Sequence, residues 1–117
     1  MDTVNKFLKG TLKQHKYVFD ETIIIQDIRP YVKCKDGFGI SIQASDGHYC
    51  EPRVNGDVIY EEVELGYPNM EDELIADYAE DPDNLTKTVY GYVPVHIVNQ
   101  LIEKHGGIVE ELMEGLA

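Results

Sequence analysis

Between Arg53 and Lys87 the chain contains no lysine or arginine. The same gap holds Asp57, Glu61, Glu62, Glu64, Glu71, Asp72, Glu73, Asp77, Glu80, Asp81 and Asp83. Residues 1–53 carry seven carboxylates against eight basic side chains, whereas residues 54–117 carry fifteen against two, Lys87 and Lys104. The formal net charge of −12 therefore belongs almost wholly to the second half. Charges of one sign repel each other in a compact state, so the fold must offset that cost or a partner must relieve it.

Other absences narrow the function classes. Two cysteines, Cys34 and Cys50, make no disulfide framework and are expected as reduced thiols. No apolar run approaches the roughly 20 residues that span a bilayer. The run Thr22-Ile23-Ile24-Ile25 suits a strand instead, and no membrane partner is expected. Residues 1–6 lack a secretory h-region, from which a cytoplasmic location is expected. Phosphate cradles are missing: Gly37-Phe38-Gly39 reads as a hairpin turn, and Gly106-Gly107 follows a helix instead of opening one. Direct nucleic-acid binding is disfavoured by the acidic balance. With 117 residues, 43% of them hydrophobic, and no repeat or linker, residues 1–117 read as a single domain.

What is present is patterned. Val4, Phe7, Leu8 and Leu12 recur at helical spacing and predict a helix over 2–15. Its narrow stripe leaves residues 1–20 as a helix and connector whose docking is open. A strand is predicted over 21–28. A hairpin is predicted at Asp36-Gly37, between 31–35 and the alternating run Phe38, Ile40, Ile42, Ala44. Residues 46–56 read as a loop and 57–66 as a strand, with Ile59, Val63 and Leu65 inward and Tyr60, Glu62 and Glu64 outward. Residues 70–78 predict a short helix capped by Asn69, and 81–84 a loop. Val89–Val93 reads as a strand. Pro94 opens a helix bearing Val95, Ile97, Val98, Leu101 and Ile102, and Gly106-Gly107 supplies a left-handed cap. Val109, Leu112, Met113 and Leu116 suggest a final short helix. The sum is an α+β fold: an antiparallel sheet of four or five strands with helices on one face, the other face wet or occupied by a partner.

Candidate chemistry is sparse. Cys34, His48 and Cys50 are the weak metal candidates, but paired zinc spacing is absent. The carboxylates of 77–84 lack the calcium-loop order with its central glycine. No metal or cofactor is expected. Ser41 and Ser45 stand in no nucleophile elbow, and Cys50 with His48 lacks a third orienting group. No enzymatic activity is expected. Arg53 could pair with Glu62 or Glu64, or join His48 and Tyr49 in a shallow site for a carboxylate or phosphate. The acidic block remains, interleaved with tyrosines. Outward carboxylates at i and i+2 on a strand lie about 6.5–7 Å apart, near the spacing of successive phosphates on one nucleic-acid strand. Such an array suits a lysine- and arginine-lined groove.

The segments Ser41-Ile42-Gln43-Ala44-Ser45, His48-Tyr49-Cys50-Glu51-Pro52-Arg53, Val63-Glu64-Leu65-Gly66-Tyr67-Pro68, Val89-Tyr90-Gly91-Tyr92-Val93-Pro94-Val95 and His105-Gly106-Gly107-Ile108 resemble a group of small acidic phage and prophage proteins of low-G+C Gram-positive bacteria. The resemblance carries no assigned activity. It implies a phage accessory gene acting in the host cytoplasm, such as an inhibitor of host defence or of host nucleic-acid enzymes. The expected function is binding of a basic host protein, as a nucleic-acid mimic or anti-defence inhibitor, through Tyr60, Glu62, Glu64, Glu71, Asp72, Asp77, Tyr78, Glu80, Asp81 and Asp83. The alternatives are a virion or assembly accessory protein using the free sheet face, and a small-ligand or metal-binding domain. Homo-oligomerisation is left open.

Overall fold

Helix α1 covers Thr3–Gly10, shorter than its apolar spacing predicts. The structure, a computed structural model, describes residues 2–113, so Leu116 lies outside the described residues. After α1 the chain turns at Thr11, whose N–H and hydroxyl both donate to the Phe7 carbonyl at 3.0 and 2.6 Å. It then becomes strand β1, Lys13–Phe19. The expected helix over 11–15 is overridden because the run from His15 to Phe19 pairs, residue for residue, with the isoleucine-rich β2, Thr22–Ile28. The turn residues Asp20 and Glu21 both have positive φ, 49° and 64°, the backbone that a two-residue hairpin requires.

The remaining strands form a second antiparallel sheet in the order β3-β4-β5-β6: Val32–Lys33, Gly39–Gln43, Glu62–Gly66 and Val89–Pro94. The Asp36-Gly37 hairpin forms as expected, with Gly37 at φ 97°. Helix α2, Val95–Lys104, follows Pro94 directly and ends on Gly106 and Gly107, at φ 88° and 90°. Their N–H groups return to the Glu103 and Ile102 carbonyls, satisfying the helix end. Helix α3, Glu110–Met113, closes the described chain. The fold is α+β, although the strands divide into a two-stranded ribbon and a four-stranded sheet.

Both long helices pack on one side of the larger sheet. Val4, Phe7 and Leu8 from α1 and Val98, Leu101 and Ile102 from α2 meet Ile40, Ile42, Val63, Leu65 and Val93, all buried. Helix α1 is firmly docked. Asn5 is 6% exposed and clamps the backbone of Tyr60, accepting from its N–H at 2.8 Å and donating to its carbonyl at 2.9 Å. Val4 N–H donates to Asn99 on α2 at 2.9 Å.

That clamp explains a second departure. Strand β5 begins at Glu62, and residues 57–61 are irregular. Within them the predicted facing is reversed: Tyr60 is 1% exposed and Ile59 is 70% exposed. Inward-outward alternation holds only where a ladder fixes the pleat, and here a side-chain clamp fixes Tyr60 instead. A third departure is the expected helix over 70–78, which is turns plus one 3-10 turn at Ala76–Tyr78. Asn69 caps no helix. It accepts from Gly39 N–H and donates to the Gly37 carbonyl, both at 2.8 Å.

The outer face of the sheet is partly covered by the chain itself. Tyr31 lies across Gly39 so closely that a Cβ there would stand 2.6 Å from its ring, and Tyr49 lies over Gly91. No helix among the described residues is long and apolar enough to cross a membrane.

Asn5→Ala removes both bonds to the Tyr60 backbone and leaves two buried groups unpaired. We expect a loss of about 2–6 kcal/mol, at roughly 1–3 for each orphaned group. Urea unfolding should show a lower midpoint with an unchanged slope.

Candidate interaction surface

The acidic stretch from Glu71 to Asp83 is an irregular strap along the open edge of β6. It is held from beneath. Ile75 is fully buried, and Leu74, Tyr78 and Ala79 pack against the core. Ala79 bridges Tyr90, and Glu80 N–H donates to the Val89 carbonyl at 2.9 Å. Asp81 N–H donates to the Thr88 hydroxyl at 3.0 Å, while the Asp81 carboxylate closes its own turn by accepting from Asp83 N–H and the Asn84 amide. These anchors leave Glu71, Glu73, Asp77, Glu80, Asp81 and Asp83 exposed. Among the described residues none of the six takes part in a salt bridge.

The ten residues expected at a partner surface therefore separate. Glu71, Asp77, Glu80, Asp81 and Asp83 share the strap, with Tyr78 half-buried among them. Glu62 and Glu64 lie on β5, inside β6, and are half-buried; Glu64 accepts from Tyr49 N–H at 3.1 Å. Tyr60 and Asp72 are not surface residues. The Tyr60 hydroxyl donates to the Val54 carbonyl at 2.7 Å, and the Arg29 guanidinium lies 5.9 Å from the centre of its ring.

Asp72 belongs to a partly buried polar cluster that tethers the strap. Its side chain is 3% exposed. One oxygen faces His105 Nε2 at 2.8 Å, and Lys104 Nζ approaches at 3.1 Å. The other His105 nitrogen, Nδ1, faces Asp36 at 2.6 Å. Each ring nitrogen of His105 thus faces a carboxylate oxygen. Phe38 stacks on the ring at 4.0 Å. The carboxyls of both aspartates are held below the ordinary range. For Asp36 the causes are the Phe38 N–H and then His105. For Asp72 burial pushes upward, but the Leu74 N–H, His105 and Lys104 outweigh it. Nothing in the sequence marks His105 for this role, because its partners lie 33 and 69 positions away.

The weak metal candidates do not converge: among the described residues no group of three histidine, cysteine or carboxylate side chains could hold an ion. Cys34 lies at the β3–β4 turn, bridged to Ile108, and burial followed by Asp36 raises its thiol to about 11. Cys50 is also buried, its Sγ 3.1 Å from the Ser45 carbonyl, and burial raises its thiol. The Ser45 hydroxyl accepts from Gly47 N–H at 3.0 Å and is hydrogen-bonded to His48 Nδ1 at 2.6 Å. Burial first, and Arg29 with it, lowers the His48 pKa against the opposing pull of Glu64. Ser45 is 2% exposed, so this pair braces a turn and presents no accessible nucleophile. Arg53 forms no ion pair with Glu62 or Glu64. It donates to the Asp46 carbonyl at 3.1 Å and lies over Tyr49, which tilts against Tyr92.

Two outcomes follow from these geometries. Lowered carboxyls at Asp36 and Asp72 contribute stability that is fully present above about pH 4 and lost as pH falls through their folded values. Asp72→Asn should cost about 1–3 kcal/mol at neutral pH, since it removes the carboxylate that faces the buried His105, while the half-exposed Lys104 returns to water. It should also flatten the acid limb of the stability profile measured by denaturant titration. Separately, alkylation at mildly alkaline pH should leave both thiols of the folded protein unmodified and label both after unfolding.

No known protein family, curated protein or solved structure matches this chain.

Proposed function

We propose that this chain is a non-catalytic binding protein whose acidic strap engages a partner protein with a basic surface. One observation carries the reading: the exposed carboxylates of 71–83 are displayed from a segment fixed by buried anchors, without cations of their own. A merely soluble surface needs charge but no such fixation. A preorganised anionic edge gives up little conformational freedom on docking, and its field speeds encounter with a cationic groove. The resemblance to phage accessory proteins suggests a host nucleic-acid enzyme or defence protein as the partner class. In that setting the strap stands in for a phosphate backbone. Glu62 and Glu64 add less than their spacing suggests, because Glu64 is already engaged by Tyr49.

The test is capture from a Gram-positive bacterial lysate across a salt series, using wild type and the triple variant Glu73→Lys, Asp77→Lys, Glu80→Lys. These three side chains face solvent, so the fold should persist. Capture by wild type should weaken as salt rises, since screening acts over about 8–10 Å at physiological ionic strength. The variant should lose affinity by about tenfold or more. Added DNA should compete if the groove serves nucleic acid. Capture that is insensitive to salt, and equal in the variant, sinks the proposal.

A further inference from the structure

The β1–β2 ribbon is built for a third strand that no described residue of its own chain provides. Seven rungs pair β1 with β2, giving an arm roughly 23 Å long. Every residue of β1 is exposed, and in β2 only Ile24, Asp27 and Ile28 are shielded. The base is well anchored. Asp27 is fully buried and accepts from Gln14 and from Gly56 N–H, while the Arg29 guanidinium donates to the carbonyls of Leu8 and Ala44. Toward the tip both faces carry exposed apolar side chains, with Lys16 beside Ile25 on one of them. Tyr17 and Phe19 stand on one face at 46% and 67% exposure, and Val18, Ile23 and Ile25 on the other at 70%, 58% and 50%. A two-stranded ribbon with solvent on both faces is marginal in water, and additional strands remedy that.

The two edges differ. The β1 edge carries Lys13 and Lys16, the residue type that discourages edge pairing. The β2 edge offers Thr22-Ile23-Ile24-Ile25-Gln26, five residues without charge, three of them isoleucine. The two-residue turn closes with Phe19 and Thr22 as a bonded pair, so alternation aims the backbone groups of Ile23 and Ile25 outward. An antiparallel partner centred on Ile24 would set Ile23 against Ile25 of the second copy as a bonded pair. Ile24 would then face its own counterpart. The sequence of β2 is thus complementary to itself about a twofold axis.

Charge selects the same arrangement. The ribbon tip is acidic, with Asp20 and Glu21, and its base is basic, with Lys13 in the row of Ile28. Antiparallel pairing brings each tip into the row of the other copy's Ile28 and Lys13, about 9–10 Å across two strand spacings. Parallel pairing would set tip on tip. We propose that the outer edge of β2 is a self-association surface: a second copy of this chain pairs there, β2 against β2, to make a continuous four-stranded antiparallel sheet. The proposal does not depend on what the acidic strap binds.

Three variants test it on the full chain. Ile24→Cys places a thiol on the axis, where the facing Cα atoms of a non-bonded pair lie about 4.5 Å apart, within disulfide range. Mild oxidation should yield a covalent dimer, while Val18→Cys, more exposed than Ile24 but on β1, should cross-link slowly. Ile25→Pro removes an outward N–H and spares the bonds to β1. Sedimentation should show a wild-type dimer at micromolar concentration and an association at least about tenfold weaker in the proline variant, with circular dichroism unchanged. A wild-type monomer, a dimer indifferent to the proline, or equal cross-linking of the two cysteine variants overturns the proposal. The monomer result would give the edge to a different chain. If the proline variant also loses its native spectrum, the cross-linking comparison decides alone.

Discussion

Three parts of the chain meet at one imidazole. The β3–β4 turn brings Asp36, the start of the acidic strap brings Asp72, and the end of α2 brings Lys104 and His105. Each ion alone would be costly to remove from water, and a single buried pair often adds little net stability. Here the two buried members, Asp72 and His105, face each other while Lys104 and Asp36 keep part of their water, and no buried side-chain polar atom among the described residues lacks a partner. The cluster therefore acts chiefly as a positional device. It fixes where the strap leaves the sheet, and Ile75 and the Ala79–Tyr90 bridge fix where it runs next.

This tether bears on the charge problem that the composition raises. Six exposed carboxylates within thirteen residues repel one another and favour an extended strap. At surface separations each such repulsion is worth a fraction of a kcal/mol in salt, so one buried apolar side chain such as Ile75, at about 1.5–3 kcal/mol, offsets several of them. The apolar residues of the strap are spaced to return it to the core every few positions, and the acids occupy the intervals. Stability and charge display are thus allotted to alternate residues of the same segment.

The parts of the fold that could be read in the sequence are those whose cause is local. Asp36-Gly37 makes its turn by backbone preference, Pro94 opens α2, and Gly106-Gly107 ends it. The misread parts have distant causes. Leu12 extends the helical spacing of Phe7 and Leu8, yet the next residues form β1 because the isoleucines of β2 lie beside them. Asp20-Glu21 is not the residue pair that announces a two-residue turn. Tyr60 and Ile59 exchange sides because Asn5, fifty-five residues earlier, clamps one backbone unit. The candidate surface divides the same way. The solvent-facing acids of the strap could be read from composition, whereas Asp72 is spelled like its neighbours and differs only in facing a histidine 33 residues away.

The ribbon and the strap, taken together, have a consequence that neither has alone. The ribbon leaves the body at the Asp27–Gly56 and Arg29–Ala44 contacts, at the end of β4 opposite the turn where Asn69 and Asp72 tether the strap. Pairing through β2 would therefore join two bodies without consuming the acids. Such an assembly would present two straps related by a twofold axis. A second contact to a repeating or dimeric cationic partner then becomes intramolecular, and linkage of this type raises overall avidity by about 10²–10⁴ without any new kind of contact, provided the spacing allows both to engage. Weak, salt-sensitive single contacts would suffice for tight and still reversible binding. That would be a physical reason for a small acidic chain to devote a sixteen-residue arm to pairing with a copy of itself.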